Sequence, residues 1–105
     1  MSRELMTVED AFLHKSRGVI ASGRMPAEWI EGESVRVVRV GDVVELQHPD
    51  GTTIRSEIGG VTLYRSGPPT SAGGAPAFRA VGLLLESVRS RREVPVGTKL
   101  TLVER

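Results

Sequence analysis

Glu9 and Asp10 stand side by side just ahead of an aromatic, Phe12, and the hydroxyl of Ser22 follows twelve residues after Asp10. Paired carboxylates are a common acid–base apparatus for hydrolysis. The run Val8 to His14 alternates as a strand does, however, and adjacent strand residues point to opposite faces. Glu9 and Asp10 are therefore not expected to converge on one substrate atom. No serine lies in a G-x-S-x-G elbow, the turn that exposes a nucleophile in many hydrolases. The chain has no cysteine, which removes disulfides and thiolate chemistry. H-E-x-x-H is absent, and His14 and His48 lack the spacing of a local metal motif. The phosphate loop G-x-x-x-x-G-K-[ST] is absent too, since neither Lys15 nor Lys99 follows a glycine. The expectation is a protein that is not an enzyme, needs no cofactor and binds no GTP. What remains is binding chemistry: carboxylates, a hydroxyl, and the aromatics Phe12, Tyr64 and Trp29.

The elements that position these groups are short and β-prone. Val8 to His14 and Val19 to Gly23 form two strands joined by the polar turn Lys15-Ser16-Arg17-Gly18. Met25 to Glu33 breaks the pattern: Pro26 forbids a central-strand position, and Ala27 to Glu31 suits one helical turn ended by Gly32. Ser34 to Val40 alternates, then shifts parity at Val38, which implies a bulge, a bend or cover on both faces. Gly41-Asp42 turns the chain into a strand over Val43 to His48. Pro49-Asp50-Gly51 is a strong hairpin signal, and Thr52 to Ile58 returns from it. Gly59-Gly60 suggests a bulge before Val61 to Arg65. Ser66 to Ala77 (SGPPTSAGGAPA) is a low-complexity segment expected to be a mobile loop. Phe78 to Val88 is the most apolar run, with a strand favoured over a helix by Gly82. Arg89 to Val96 is a charged loop, and Lys99 to Val103 is the last strand.

Twelve glycines and six prolines fall between short apolar runs, as in an all-β domain with many tight turns. With 105 residues, 39% of them hydrophobic and 26% charged, the chain suits one soluble globular domain. A net charge of +1 gives no overall basic field for nucleic acid, so any such binding needs a local patch. No run approaches a membrane span and the polar start is unlike a signal peptide, so a cytoplasmic location is expected.

Four blocks of the sequence, the first made of two stretches, resemble the second domain of elongation factor Tu and related translational GTPases. Val8-Glu9-Asp10-Ala11-Phe12 is similar to that domain's I-E-D-V-F-like opening, and Ser16 to Arg24 to its G-R-G-T-V-V-T-G-R-like return. Val38 to Glu45 resembles the K-V-G-D-E-V-E-like segment, Val61 to Arg65 the V-E-M-F-R-like one, and Ala80 to Leu85 the N-V-G-L-L-L-like strand. The resemblance implies a closed Greek-key β-barrel of about six strands, spanning residues 1–105 as one domain with 25–33 as an insertion. It also implies a translation-linked, non-catalytic binding role with an RNA or aminoacyl-tRNA end as ligand. Carried over position by position, Glu9, Asp10 and Phe12 match the acidic pair and aromatic beside the aminoacyl group. Ser22 takes the place of a threonine, and Tyr64 that of a phenylalanine near the terminal base. Ala80 replaces an asparagine that contacts the amino group.

Each of these positions has a plainer reading as barrel architecture: Phe12 as core, Glu9 and Asp10 as strand-edge charge, Tyr64 as half-buried wall. Trp29, inside the insertion, is either an anchor for a translation-related protein partner or a lid on a barrel end. Protein–protein interaction through Trp29 and the barrel edges is the alternative function. Arg89, Arg91 and Arg92 are either phosphate contacts or a solvated loop flanked by Glu86 and Glu93.

Overall fold

The computed structural model describes residues 3–15, 17–31, 34–64 and 78–103. Its strands are β1 (Arg3–His14), β2 (Gly18–Pro26), β3 (Ile30–Glu31), β4 (Ser34–Val35), β5 (Val43–Gln47), β6 (Thr53–Leu63), β7 (Phe78–Leu85) and β8 (Lys99–Val103). Six of them close a barrel in the order β1-β2-β7-β6-β5-β8, with every pairing antiparallel. Strands β5, β6 and β7 follow one another as neighbours and β8 returns to lie beside β5, which is a Greek key. The β3–β4 pair is a separate two-stranded ribbon.

The interior follows from alternation. Val19, Ala21 and Met25 of β2, Val44 and Leu46 of β5, and Val81, Leu83 and Leu85 of β7 are wholly buried. Val35, Val38, Val88 and Val94, from outside the barrel strands, join the same core. Burying one such aliphatic side chain stabilises by about 1.5–3 kcal/mol. The ion pairs Arg55–Glu45 and Arg36–Glu31, each at 3.6 Å and exposed, offer roughly 0–1 kcal/mol apiece. The barrel is therefore held from inside.

Two breaks in register shape the wall. One lies in β1 between Val8 and Asp10 against β2, the other in β6 between Ile58 and Gly60 against β7. The second is the bulge anticipated at Gly59-Gly60. The first overturns the alternation expected over Val8 to His14: past the bulge the buried position moves from Val8 to Ala11, and Glu9 and Asp10 are both exposed.

Three segments depart from their expected form. Met25 and Pro26 belong to β2, where Pro26 occupies the final register position opposite Phe78 and Met25 is wholly buried. The end of a strand tolerates a missing N–H, so proline shortens nothing here. The turn after it is a 3-10 turn over Ala27–Trp29. The strand expected over Ser34 to Val40 ends at Val35, so the parity shift marks a bend. The low-complexity segment Ser66 to Ala77 lies outside the described residues. Phe78 to Leu85 is a strand throughout.

Candidate functional site

The outer face of β1, β2 and β7 gathers most of the residues singled out by the resemblance. In β2 Gly18, Val19, Ala21, Gly23 and Met25 are buried, and from Val19 onward they alternate with Ile20, Ser22 and Arg24, which face outward. In β7 Val81, Leu83 and Leu85 point inward, leaving Gly82 and Leu84 on the outer side. Cross-strand register then builds two adjoining rows: Phe12, Ile20 and Leu84 in one, and Asp10, Ser22 and Gly82 in the other. Leu84 is only 6% exposed yet is not part of the interior core, so it is covered on the outer side.

Tyr64 reaches this face from the end of β6, its N–H donating to the Ala80 carbonyl at 3.1 Å. Its phenol lies against Gly82. A Cβ on Gly82 would fall 2.6 Å from Tyr64 Oη, 3.0 Å from Cζ and 3.0 Å from Ile20 Cγ2. The absence of a side chain at Gly82 is thus what lets the phenol lie on the strand.

Phe12 is 47% exposed, so it is not a core residue. Its place is on the outer surface, where an aromatic is available for contact. Ser22 is half-buried between Asp10 on one side and Gly82 on the other. Asp10 Oδ1 accepts the N–H of Ala11 at 2.8 Å. Glu9 turns elsewhere: its Oε2 accepts from Arg24 Nε at 2.8 Å, and it lines a hollow of about 360 Å³ with Thr7, Arg24 and Phe78. Asp10 lines a different hollow, of about 280 Å³, with Ala11, Arg91, Arg92, Val94, Pro95 and Val96. The two carboxylates do not converge, although the bulge leaves both exposed.

Trp29 lies apart from this face. It is half-buried, packs against the core, and carries the Arg3 guanidinium 5.8 Å above its ring centroid. Its backbone carbonyl accepts the Arg36 N–H at 2.7 Å. Arg3, Glu28, Trp29, Arg36, Val37 and Leu102 line a hollow of about 460 Å³. Trp29 thus packs on the core, as a lid would, while its outer side edges a concave surface.

Buried hydroxyls serve the fold. Ser56 Oγ donates to the Glu57 carbonyl and accepts the Ser87 N–H, and Thr98 Oγ1 donates to the Pro95 carbonyl. Among the described residues every buried side-chain nitrogen or oxygen has a partner. His48 Nε2 lies 2.5 Å from the carbonyl of Glu93, far along the chain, while His14 Nδ1 lies 3.1 Å from that of its neighbour Lys15, so each ring engages a backbone carbonyl. No group of three or more His, Cys, Asp or Glu able to hold a metal occurs among the described residues. No described helix is long and apolar enough to cross a membrane. Comparison with protein-family models, curated proteins and solved structures found no match to this chain.

Sequence reasoning missed Ile20, Gly82 and Leu84 as parts of the face. Their signal was there in the alternation of β2 and β7, but it needs the strand order to become a site. It also missed the neighbourhood of Asp10 and Arg91–Arg92, which only the return of β8 beside β1 creates.

Proposed function

We propose that the chain is a non-catalytic binding module, and that the outer face of β1, β2 and β7 takes an RNA end, in the first instance the aminoacyl end of a charged tRNA. The ligand class comes from the resemblance to the second domain of translational GTPases. The observation that carries the reading is the arrangement on that face: Tyr64 held against Gly82, with Phe12, Ser22 and Asp10 on the adjoining strands. An exposed aromatic beside a fixed phenol offers stacking surface for a base, while a hydroxyl and a carboxylate meet sugar or amino groups. Ala80 provides no side-chain hydrogen bond where the resemblance implies an asparagine, so the contact with the amino acid is weaker than the contact with the terminal base.

Titration of charged and uncharged tRNA into wild type, Phe12→Ala and Tyr64→Ala tests this. Base–aromatic stacking is worth about 1–3 kcal/mol, so each variant is expected to bind roughly ten-fold or more weakly. Equal binding by all three proteins would remove the face as the site.

A second reading is favoured by the hollow of about 460 Å³ beside Trp29, which suits a protein partner. In that case Trp29→Ala weakens capture of the partner while Tyr64→Ala leaves it unchanged.

A further inference from the structure

The connection between β7 and β8 brings a second kind of chemistry to the rim of this face. Arg89, Arg91 and Arg92 are all exposed, and none of their guanidinium groups has an acidic partner among the described residues. Lys15, on the β1–β2 turn, is likewise exposed and unpaired among them. The nearest acids are already engaged. Glu93 Oε2 accepts the N–H groups of Arg89 and Ser90 at 2.9 and 3.1 Å, and Glu86 pairs with Arg17 at 3.2 Å. Asp10, the one carboxylate lining the hollow of Arg91 and Arg92, spends an oxygen on the Ala11 N–H.

The backbone that carries these arginines is ordered by its own hydrogen bonds. Ser90 Oγ accepts the Arg92 N–H at 3.2 Å, and with Glu93 it forms a capping box around the 3-10 turn Arg91–Glu93. The cations also straddle one stretch of β1. Arg91 and Arg92 share a hollow with Asp10 and Ala11, while Arg89 shares another, of about 150 Å³, with Leu13, His14, Arg17 and Gly18. Phe12 lies in the chain between the two.

We propose that Arg89, Arg91 and Arg92 form a phosphate track for single-stranded RNA, along which the backbone runs while its terminal bases lie against Phe12 and Tyr64. The inference rests on the reading of that face as an RNA-end site. It reconciles a near-neutral protein with a polyanionic ligand, because the positive charge is local and uncompensated where the strand would pass. Guanidinium groups suit phosphate oxygens through paired N–H donors, and arginine does not lose its charge near neutral pH.

The test is fluorescence anisotropy with a 5′-labelled ten-nucleotide single-stranded RNA ending in CCA, over a series of salt concentrations. Proteins compared are wild type, the triple variant Arg89→Gln/Arg91→Gln/Arg92→Gln, its triple-lysine counterpart, and Tyr64→Ala, each with its thermal unfolding recorded. Three phosphate contacts on a single strand contribute about 2 to the slope of log affinity against log salt. The glutamine variant is expected to lose about that much slope and to bind at least ten-fold more weakly at low salt. The lysine variant is expected to keep most of the slope, which guards against a folding defect in the glutamine protein. Tyr64→Ala is expected to weaken binding with the slope unchanged. RNA binding that depends on Tyr64 but has the same salt slope in wild type and the glutamine variant would overturn the phosphate track and leave the face intact. Binding that depends on the arginines but not on Tyr64 would overturn the reading of the face instead. No RNA binding by wild type would overturn both.

Discussion

The Phe12 ring leaves about half its surface in water, so Phe12→Ala is expected to lower stability by less than about 1.5 kcal/mol in urea denaturation, against about 3–5 for a buried phenylalanine. The variant therefore separates binding from folding. Two glycines of the wall have opposite tolerances. At Gly18, φ is +141° and a Cβ would lie 2.3 Å from the Leu85 carbonyl oxygen, a backbone atom that cannot swing away. Gly18→Ala is expected to destabilise by more than about 3 kcal/mol, from backbone strain and forced separation of β2 and β7 together. At Gly82 the obstacle is mainly the Tyr64 phenol, which can rotate. Gly82→Ala is expected to be milder, about 1–3 kcal/mol, and to change the near-ultraviolet circular dichroism of the single tyrosine. At Asp50 the Thr52 N–H, 2.9 Å from Oδ1, holds the carboxyl below its ordinary 3.8. A lowered folded-state pKa stabilises above the unfolded value, and that contribution is lost as pH falls through the folded one. Wild type and Asp50→Asn are thus expected to run parallel in stability at neutral pH and to converge or cross only below pH 3.8. A difference in slope near pH 6 would contradict the assignment. At this scale the sequence carried residue identities well and environments poorly. Phe12 is aromatic in any reading, but a one-residue bulge decides which side of the wall it occupies.

The β7–β8 connection is where an element held more order than its composition suggested. Arg89 to Val96 looks like a charged loop, yet Ser90-x-x-Glu93 spells a capping box, and both halves of the box form. Glu93→Ala removes an acceptor from two backbone N–H groups, so a loss of about 0.5–2 kcal/mol is expected in chemical denaturation. Amide exchange should quicken at Arg89 and Ser90 before it does in the barrel strands. Strands β2, β5, β6, β7 and β8 were legible because their apolar residues alternate or cluster between turn signals. Pro49-Asp50-Gly51 was legible for the same local reason: Gly51 N–H closes on the His48 carbonyl at 2.9 Å, and His48 N–H on the Thr52 carbonyl at 2.8 Å. Strand ends were less legible. Pro26 reads as a breaker in isolation, but opposite Phe78 it is simply the last residue of β2. Val37 and Val38 promised a longer strand, but the chain bends there to bury Val38 in the core.

For the molecule as a whole, the all-β class followed from short strands and frequent turns and the closed barrel from the resemblance, whereas no local pattern gave the neighbours of each strand. No local signal pairs β2 with β7 or β8 with β1, and the outer face that gathers Phe12, Ser22 and Gly82 exists only because of the first of those pairings. Calorimetric titration with GTP is expected to give no binding heat from this chain, which has no phosphate loop; micromolar affinity would point to a nucleotide site that the resemblance does not imply. The seam of the ring has a consequence for how the protein is made. Strand β8 pairs on one side with β5 and on the other with β1, so it joins the latest part of the described fold to the earliest. A ribosome delivers residues in order, and until Lys99 to Val103 emerge the growing sheet is an open ribbon with β1 and β5 at its two margins. Those margins present unpaired amides to the crowded space around the tunnel exit, where another nascent copy could add to them. A stop codon just before Lys99 should therefore yield not a slightly weakened barrel but a product that precipitates, while a chain that carries β8, its ring closed, stays in solution.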